Sequence, residues 1–172
     1  MTFSSGAVLT AAQLNTHLRD NLNETAPAKA SVAGQIFAAT GANAIAARLP
    51  STATVATSQT TASTSYTDMA TVGPAVTVNT GPMALVGVTS TSANNTSTST
   101  YMGYDVSGAT TIAATDARAS VHDPGTVNKR LRFTAVTLQT GLTPGSNTFT
   151  SKYKVDGGTA TYFARDIFVI PF

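Results

Sequence analysis

The sequence predicts a mainly β protein: a C-terminal antiparallel β-sandwich, jelly-roll-like, preceded by a short N-terminal α-helix and an extended arm or small hairpin. Three observations lead there. Runs rich in Thr, Val, Tyr and Phe recur about every ten residues between Gly, Pro and Asn breakers, the rhythm of sandwiches and jelly rolls. Two of these runs alternate between apolar and polar residues, as half-buried strands do. Thr (32), Ser (15) and Ala (28) fill much of the 172-residue chain while only 10% of it is charged. So little charge cannot hold a coil expanded by self-repulsion, so the chain must fold and carry a hydroxyl-rich surface. The length suits one domain and a small appendage.

Three parts follow in order. Residues 1–27 are expected to form an anchoring helix. Thr10 and Gln13 have capping-box spacing, in which hydroxyl and amide satisfy each other's backbone. Leu14, Leu18 and Leu22 recur at i, i+4 and i+8 with Ala11 on their side, and Pro27 sets the stop. About four turns of helix with so narrow a stripe are marginal alone and need a partner surface. Residues 28–50 read as an Ala-rich arm or hairpin. Gln35–Thr40, with Ile36 and Phe37, and Ala44–Leu49, with Ile45, flank the turn Gly41-Ala42-Asn43 before Pro50.

Residues 51–172 form the predicted sandwich. Strands are expected at 52–57, 65–69, 75–79, 83–90, 98–106, 118–122, 129–138, 148–155 and 159–170. Phe149, Ser151, Tyr153 and Val155 share one face, opposite Thr148, Thr150, Lys152 and Lys154. Leu131, Phe133 and Ala135 oppose Arg130, Arg132 and Thr134; the apolar phase then moves to Val136 and Leu138, which suggests a bulge. Asp156-Gly157-Gly158 is the strongest hairpin signal. The segment from Tyr162 to Phe172 is the most apolar and reads as buried on both faces, or on one face with a subunit over the other.

Composition excludes several functions. Without Cys there are no disulfides or thiolate metal sites, and two His cannot build a multi-His site. No cofactor is expected. A net charge of +2 is too small to imply nucleic-acid binding. No apolar run approaches a membrane span, and no signal peptide is evident, so synthesis in a cytoplasm is expected. No catalytic signature appears: the acids of the β region sit mostly in or beside turns, where Asp caps its own backbone. Lys129, Arg130, Arg132, Lys152 and Lys154 would make a basic stripe if their two strands were neighbours, facing phosphate or an anionic surface sugar, or simply water. Tyr101 and Tyr104 are candidates for stacking on a sugar ring or for packing. His122 reads as a turn residue. A Leu-striped helix, an Ala-rich arm and an uncharged sheet that cannot satisfy themselves point to a symmetric oligomer or to docking on a larger shell.

The run Gly6-Ala7-Val8-Leu9-Thr10-Ala11-Ala12-Gln13-Leu14-Asn15-Thr16-His17-Leu18-Arg19-Asp20-Asn21 resembles the start of virion proteins of tailed phages that infect actinobacteria. So do Glu24–Ala30 and Ala33–Ala44, and the likeness extends through Thr67-Asp68-Met69 to Gly73-Pro74 and from Tyr153 to Pro171. Family members commonly have Trp near position 3, where this chain has Phe3. The resemblance implies a structural protein of a tail fibre, minor tail protein or spike, commonly a trimer, with the Leu face turned to a three-fold axis or capsid docking site. It carries no catalytic residues.

The expectation is therefore a non-enzymatic virion protein: a trimeric short fibre or spike contacting the host surface, with capsid decoration as the alternative and a polysaccharide-cleaving spike as a third reading. Its partners would be copies of itself, other phage virion proteins of capsid or tail, and a host cell-surface glycan, without nucleic acid or membrane insertion. Expected oligomer and anchor contacts are Ala11, Leu14, Leu18, Leu22, Ile36, Phe37 and Ile45; expected ligand contacts are Tyr101, Tyr104, Arg130, Arg132, Lys152 and Lys154.

Overall fold

The structure, a computed structural model, describes Gly6, Val8, residues 10–19, Leu22 and residues 29–172, without the His17 side chain. It divides into two compact units, Met1–Ala47 and Arg48–Phe172.

In the first unit the expected capping box forms. The Thr10 hydroxyl accepts from Gln13 N at 3.2 Å, and Thr10 N donates to Gln13 Oε1 at 2.9 Å. One α-helical turn, α1 (Ala11–Leu14), leads into a π-helical turn over Asn15–Arg19. Most of the expected continuation to Pro27 lies outside the described residues. Strands β1 (Ile36–Gly41) and β2 (Ala44–Arg48) form the expected hairpin. Asn43 takes the positive φ of its turn, 57°.

The second unit is an antiparallel β-sandwich of jelly-roll character. One sheet has the order β5 (Ala75–Thr80), β10 (Gly145–Val155), β7 (Thr100–Gly108), β8 (Ser120–His122). The other runs β3 (Ser51–Val55), β11 (Ala160–Pro171), β6 (Met83–Asn94), β9 (Leu131–Thr140), with β4 (Gln59–Thr61) beside β3 on the same edge of β11. From β4 to β11 every connection except β7–β8 crosses between sheets. Alternation puts Phe149, Tyr153, Val155, Met102, Tyr104 and Val106 of one sheet against Val86, Val88, Tyr162, Ile167 and Val169 of the other. The buried phenols find acceptors: Tyr153 donates to Gly73 O (2.8 Å), Tyr162 to Tyr101 O (2.8 Å) and Tyr104 to Gln139 Oε1 (3.2 Å).

Among the described residues one charged side chain lies inside. Arg165 on β11 is fully buried. Its guanidinium donates to Thr57 O (3.1 Å), Gln59 Oε1 (3.0 Å) and Met69 Sδ (3.2 Å), and lies 5.3 Å from the Tyr153 ring centroid. It thereby pins the segment 57–69 across the sandwich.

The structure revises four expectations. Residues 65–69 are not a strand; only Thr67 bridges to Tyr153, while β4 forms instead. The 118–122 strand is only β8, preceded by a 3₁₀ turn at Asp116–Arg118. Asp156-Gly157-Gly158 makes a corner between sheets, because β10 and β11 do not pair. Gly158 has φ 68°, and a Cβ there would meet the Oδ1 atoms of Asn94 and Asn95 at 2.7 Å, so the corner requires glycine. Finally, β9 pairs with β6 in unbroken register from Met83↔Thr140 to Ser92↔Leu131. The apolar phase shift after Ala135 is therefore no bulge. It marks a change in which face of the strand is apolar. The irregularity lies in β11 between Tyr162 and Ala164.

Candidate functional site

The two outer faces of the sandwich differ in chemistry. On the five-stranded sheet, Arg132, Thr134, Val136 and Leu138 of β9 face outward opposite Thr91, Thr89, Gly87 and Leu85 of β6. Phe168 and Ile170 of β11 continue the rows beside Gly87 and Leu85. One end of this face is thus apolar. Val136 and Leu138 are 55% and 52% exposed, and Phe168 lies flat over Gly87, where any Cβ would strike its ring. At the other end Arg132 pairs with Asp166, which also accepts from Thr54 Oγ1 at 2.6 Å, so that pair adds no net charge to the face.

The four-stranded sheet presents a polar outer face. Lys152 of β10 lies 2.7 Å from Asp68 Oδ1 and 3.3 Å from Asp105 Oδ2. Lys154 lies 2.9 Å from Asp116 Oδ2 and 4.3 Å from the Tyr101 ring centroid. Tyr66 lies over Gly103, whose Cβ would meet the ring at 3.1 Å, and its phenol donates to Asp116 at 3.0 Å. The Tyr101 phenol donates to Asp156 at 2.7 Å. These contacts shift titrations in the expected directions. Burial, then the bond to Asp116, pushes the Tyr66 phenol well above its usual range. The bond to Asp156 raises Tyr101. The Lys154 ammonium holds Asp116 below the ordinary carboxylate value. Burial opposes the charge on Lys152, but Asp68 and Asp105 outweigh it and raise its pKa. Tyr66, Thr67, Asp68, Asp105, Ala114 and Lys152 surround an open recess of about 350 Å³ that Ala113 also borders.

The expected basic stripe does not exist, because β9 and β10 belong to different sheets. Arg132 is on the five-stranded face and Lys152 and Lys154 are on the other, each paired with acids. Arg130 stacks over Phe163 at 3.4 Å. Tyr104 is fully buried, points into the core and cannot meet a surface ligand; burial raises its pKa to about 12. Tyr101 remains on the outer face. His122 is not a turn residue: it is buried on β8, stacks on Phe133 at 5.2 Å and contacts Ser92 Oγ through Nδ1 at 3.1 Å. Burial lowers its pKa from the ordinary 6.5.

Among the expected anchor residues, Ala11 is exposed, and Leu14, Leu18 and Leu22 are 40%, 57% and 66% exposed. Phe37 is exposed, and Ile36 and Ile45 are half-buried. Sequence reasoning missed Tyr66, Asp68 and Asp105, which only the fold brings together. It also missed the role of Val136 and Leu138, although the phase shift in β9 signalled them. Among the described residues no group of three or more His, Cys, Asp or Glu could hold a metal, and no helix is long and apolar enough to cross a membrane.

No family model matches this chain, and no curated protein matches it. Among solved structures, the Eiger TNF from S. frugiperda is similar, with a TM-score of 0.47 and 11% identity over 70% of this chain and 91% of that one. The infectious bursal disease virus Gx strain gives a TM-score of 0.43 and 12% identity over 80% of this chain, which spans 37% of the viral chain.

Proposed function

We propose that this chain is a non-enzymatic structural protein of a virus particle: a trimeric short fibre or spike that contacts the host surface and is anchored by its N-terminal helix and arm. The observation carrying this reading is the partly apolar outer face of the five-stranded sheet, opposite a face dense in ion pairs. Half-exposed Val136 and Leu138 beside Phe168, Ile170 and Leu85 leave apolar surface in water that association would remove. Arg132 and Asp166 pair with each other, so Arg132 brings no unpaired charge to a meeting of two copies there. Four strands about 4.8 Å apart and ten residues at about 3.3 Å each span about 600 Å², close to the ~800 Å² per partner of a standard interface. The exposed Leu14, Leu18 and Leu22 supply a second apolar surface for docking on the particle. The recess arrangement supports the non-enzymatic reading, since Lys152 stands between the carboxylates that would have to flank a scissile glycosidic bond.

A second reading, capsid decoration, is favoured by one feature. Only Leu49 and Pro50 separate β2 from β3, and among the described residues no long repetitive segment of the kind that builds a fibre shaft is present. Light scattering of the full chain should report three copies, and Val136→Asp with Leu138→Asp should give monomers with an unchanged β spectrum. A monomeric wild type at micromolar concentration would sink the reading. Copy number in purified particles then separates fibre, few per particle, from decoration, many.

A further inference from the structure

We propose that the recess on the four-stranded sheet binds a neutral pyranose sugar; this deepens the reading of the β unit as a surface-contacting module and rests on it. The recess is assembled from four separate stretches of chain: the segment after β4, strand β7, the loop at Ala113–Asp116 and strand β10. The chain has 8 acidic residues, and four of them, Asp68, Asp105, Asp116 and Asp156, gather on this face with Lys152 and Lys154. On so charge-poor a protein that concentration needs an explanation.

The chemistry selects the ligand. Asp68 and Asp105 repel phosphate, sulfate and uronate groups. Lys152, held between them, repels metal ions and amines. A neutral polyol meets both demands, since its hydroxyls donate to the carboxylates and accept from the ammonium. Tyr66 supplies an aromatic wall already immobilised by Gly103 and Asp116, so little rotamer freedom is lost on binding. Ala113 and Ala114 leave a small apolar border for the C–H face of a ring. The recess of about 350 Å³ lies at the small end of ligand sites and suits one or two sugar rings.

The test is a titration of the ¹⁵N-labelled full chain with the methyl glycosides of glucose, galactose and mannose, followed by backbone amide shifts. At least one glycoside should shift the amides of Tyr66–Asp68, Asp105, Ala113, Ala114 and Lys152, with a Kd on the order of 1 mM. Ala114→Trp, which fills the recess, should abolish those shifts, and Asp105→Asn should weaken binding about tenfold. Sodium phosphate and calcium chloride at the same concentrations should leave these amides unmoved. No recess shift with any glycoside, shifts that survive Ala114→Trp, or saturable shifts with phosphate or calcium overturn the proposal. A chain that stays oligomeric yet fails to bind overturns the sugar site alone; a monomer that binds keeps the site and sinks the assembly reading.

Discussion

Arg165 offers the sharpest test of how the sandwich is built. It is fully buried, and among the described residues it forms no ion pair. Burying a cation costs several kcal/mol even after relaxation. Against that cost stand two bonds from the charged group to oxygen, to Thr57 O and Gln59 Oε1, at about 1.5–3 kcal/mol each. The Tyr153 ring adds about 1–2 kcal/mol. The terms nearly cancel. Arg165→Met keeps most of the volume and removes both the cost and the gain, and exposed Thr57 and half-exposed Gln59 can turn to water. Its stability should stay within about 1 kcal/mol of wild type. Arg165→Ala adds a cavity and should cost about 4 kcal/mol, or about 15 °C in Tm. Urea unfolding by circular dichroism, with all variants at one protein concentration, measures both. The outcome that refutes this reasoning is a methionine variant as unstable as the alanine one; the guanidinium's bonds would then dominate its desolvation.

Other outcomes follow from the same structure. Burial depresses the His122 pKa, so the unfolded chain binds more protons below about pH 6.5, and stability should be full above that pH and fall as the solution is acidified. His122→Asn should flatten that slope in urea midpoints measured from pH 7.5 to about 5; an unchanged slope would show that another group causes it. Gly158→Ala forces φ 68° on a residue with a Cβ and drives it against Asn94 and Asn95, so it should cost about 2–3 kcal/mol, seen as a Tm lowered by about 10 °C. Asp166→Asn breaks a partly exposed pair and should change stability by less than about 1 kcal/mol, measured in urea on the wild-type and the Val136→Asp, Leu138→Asp backgrounds alike.

Local chemistry was readable without coordinates. The Thr10–Gln13 box, the turn at Asn43 and the strict alternation from Thr148 to Val155 depend on neighbours within a few residues, and all three appear as expected. The β-sandwich class was equally legible, because period-two patterning and turn residues are local signals. Sheet membership was not. Nothing near Arg132 or Lys152 records that β9 and β10 lie in different sheets, so the expected basic stripe dissolved into separate ion pairs. Tyr101 and Tyr104 look alike in sequence, yet an odd spacing of three residues on one strand sends one outward and one into the core. The phase shift at Val136 was visible but ambiguous, since a bulge and an apolar outer face leave the same trace. Only the unbroken register with β6 distinguishes them. The recess of Tyr66, Asp68, Asp105 and Lys152 joins residues up to 86 positions apart, and it exists because long-range strand pairing, which no local pattern encodes, brings them to one face.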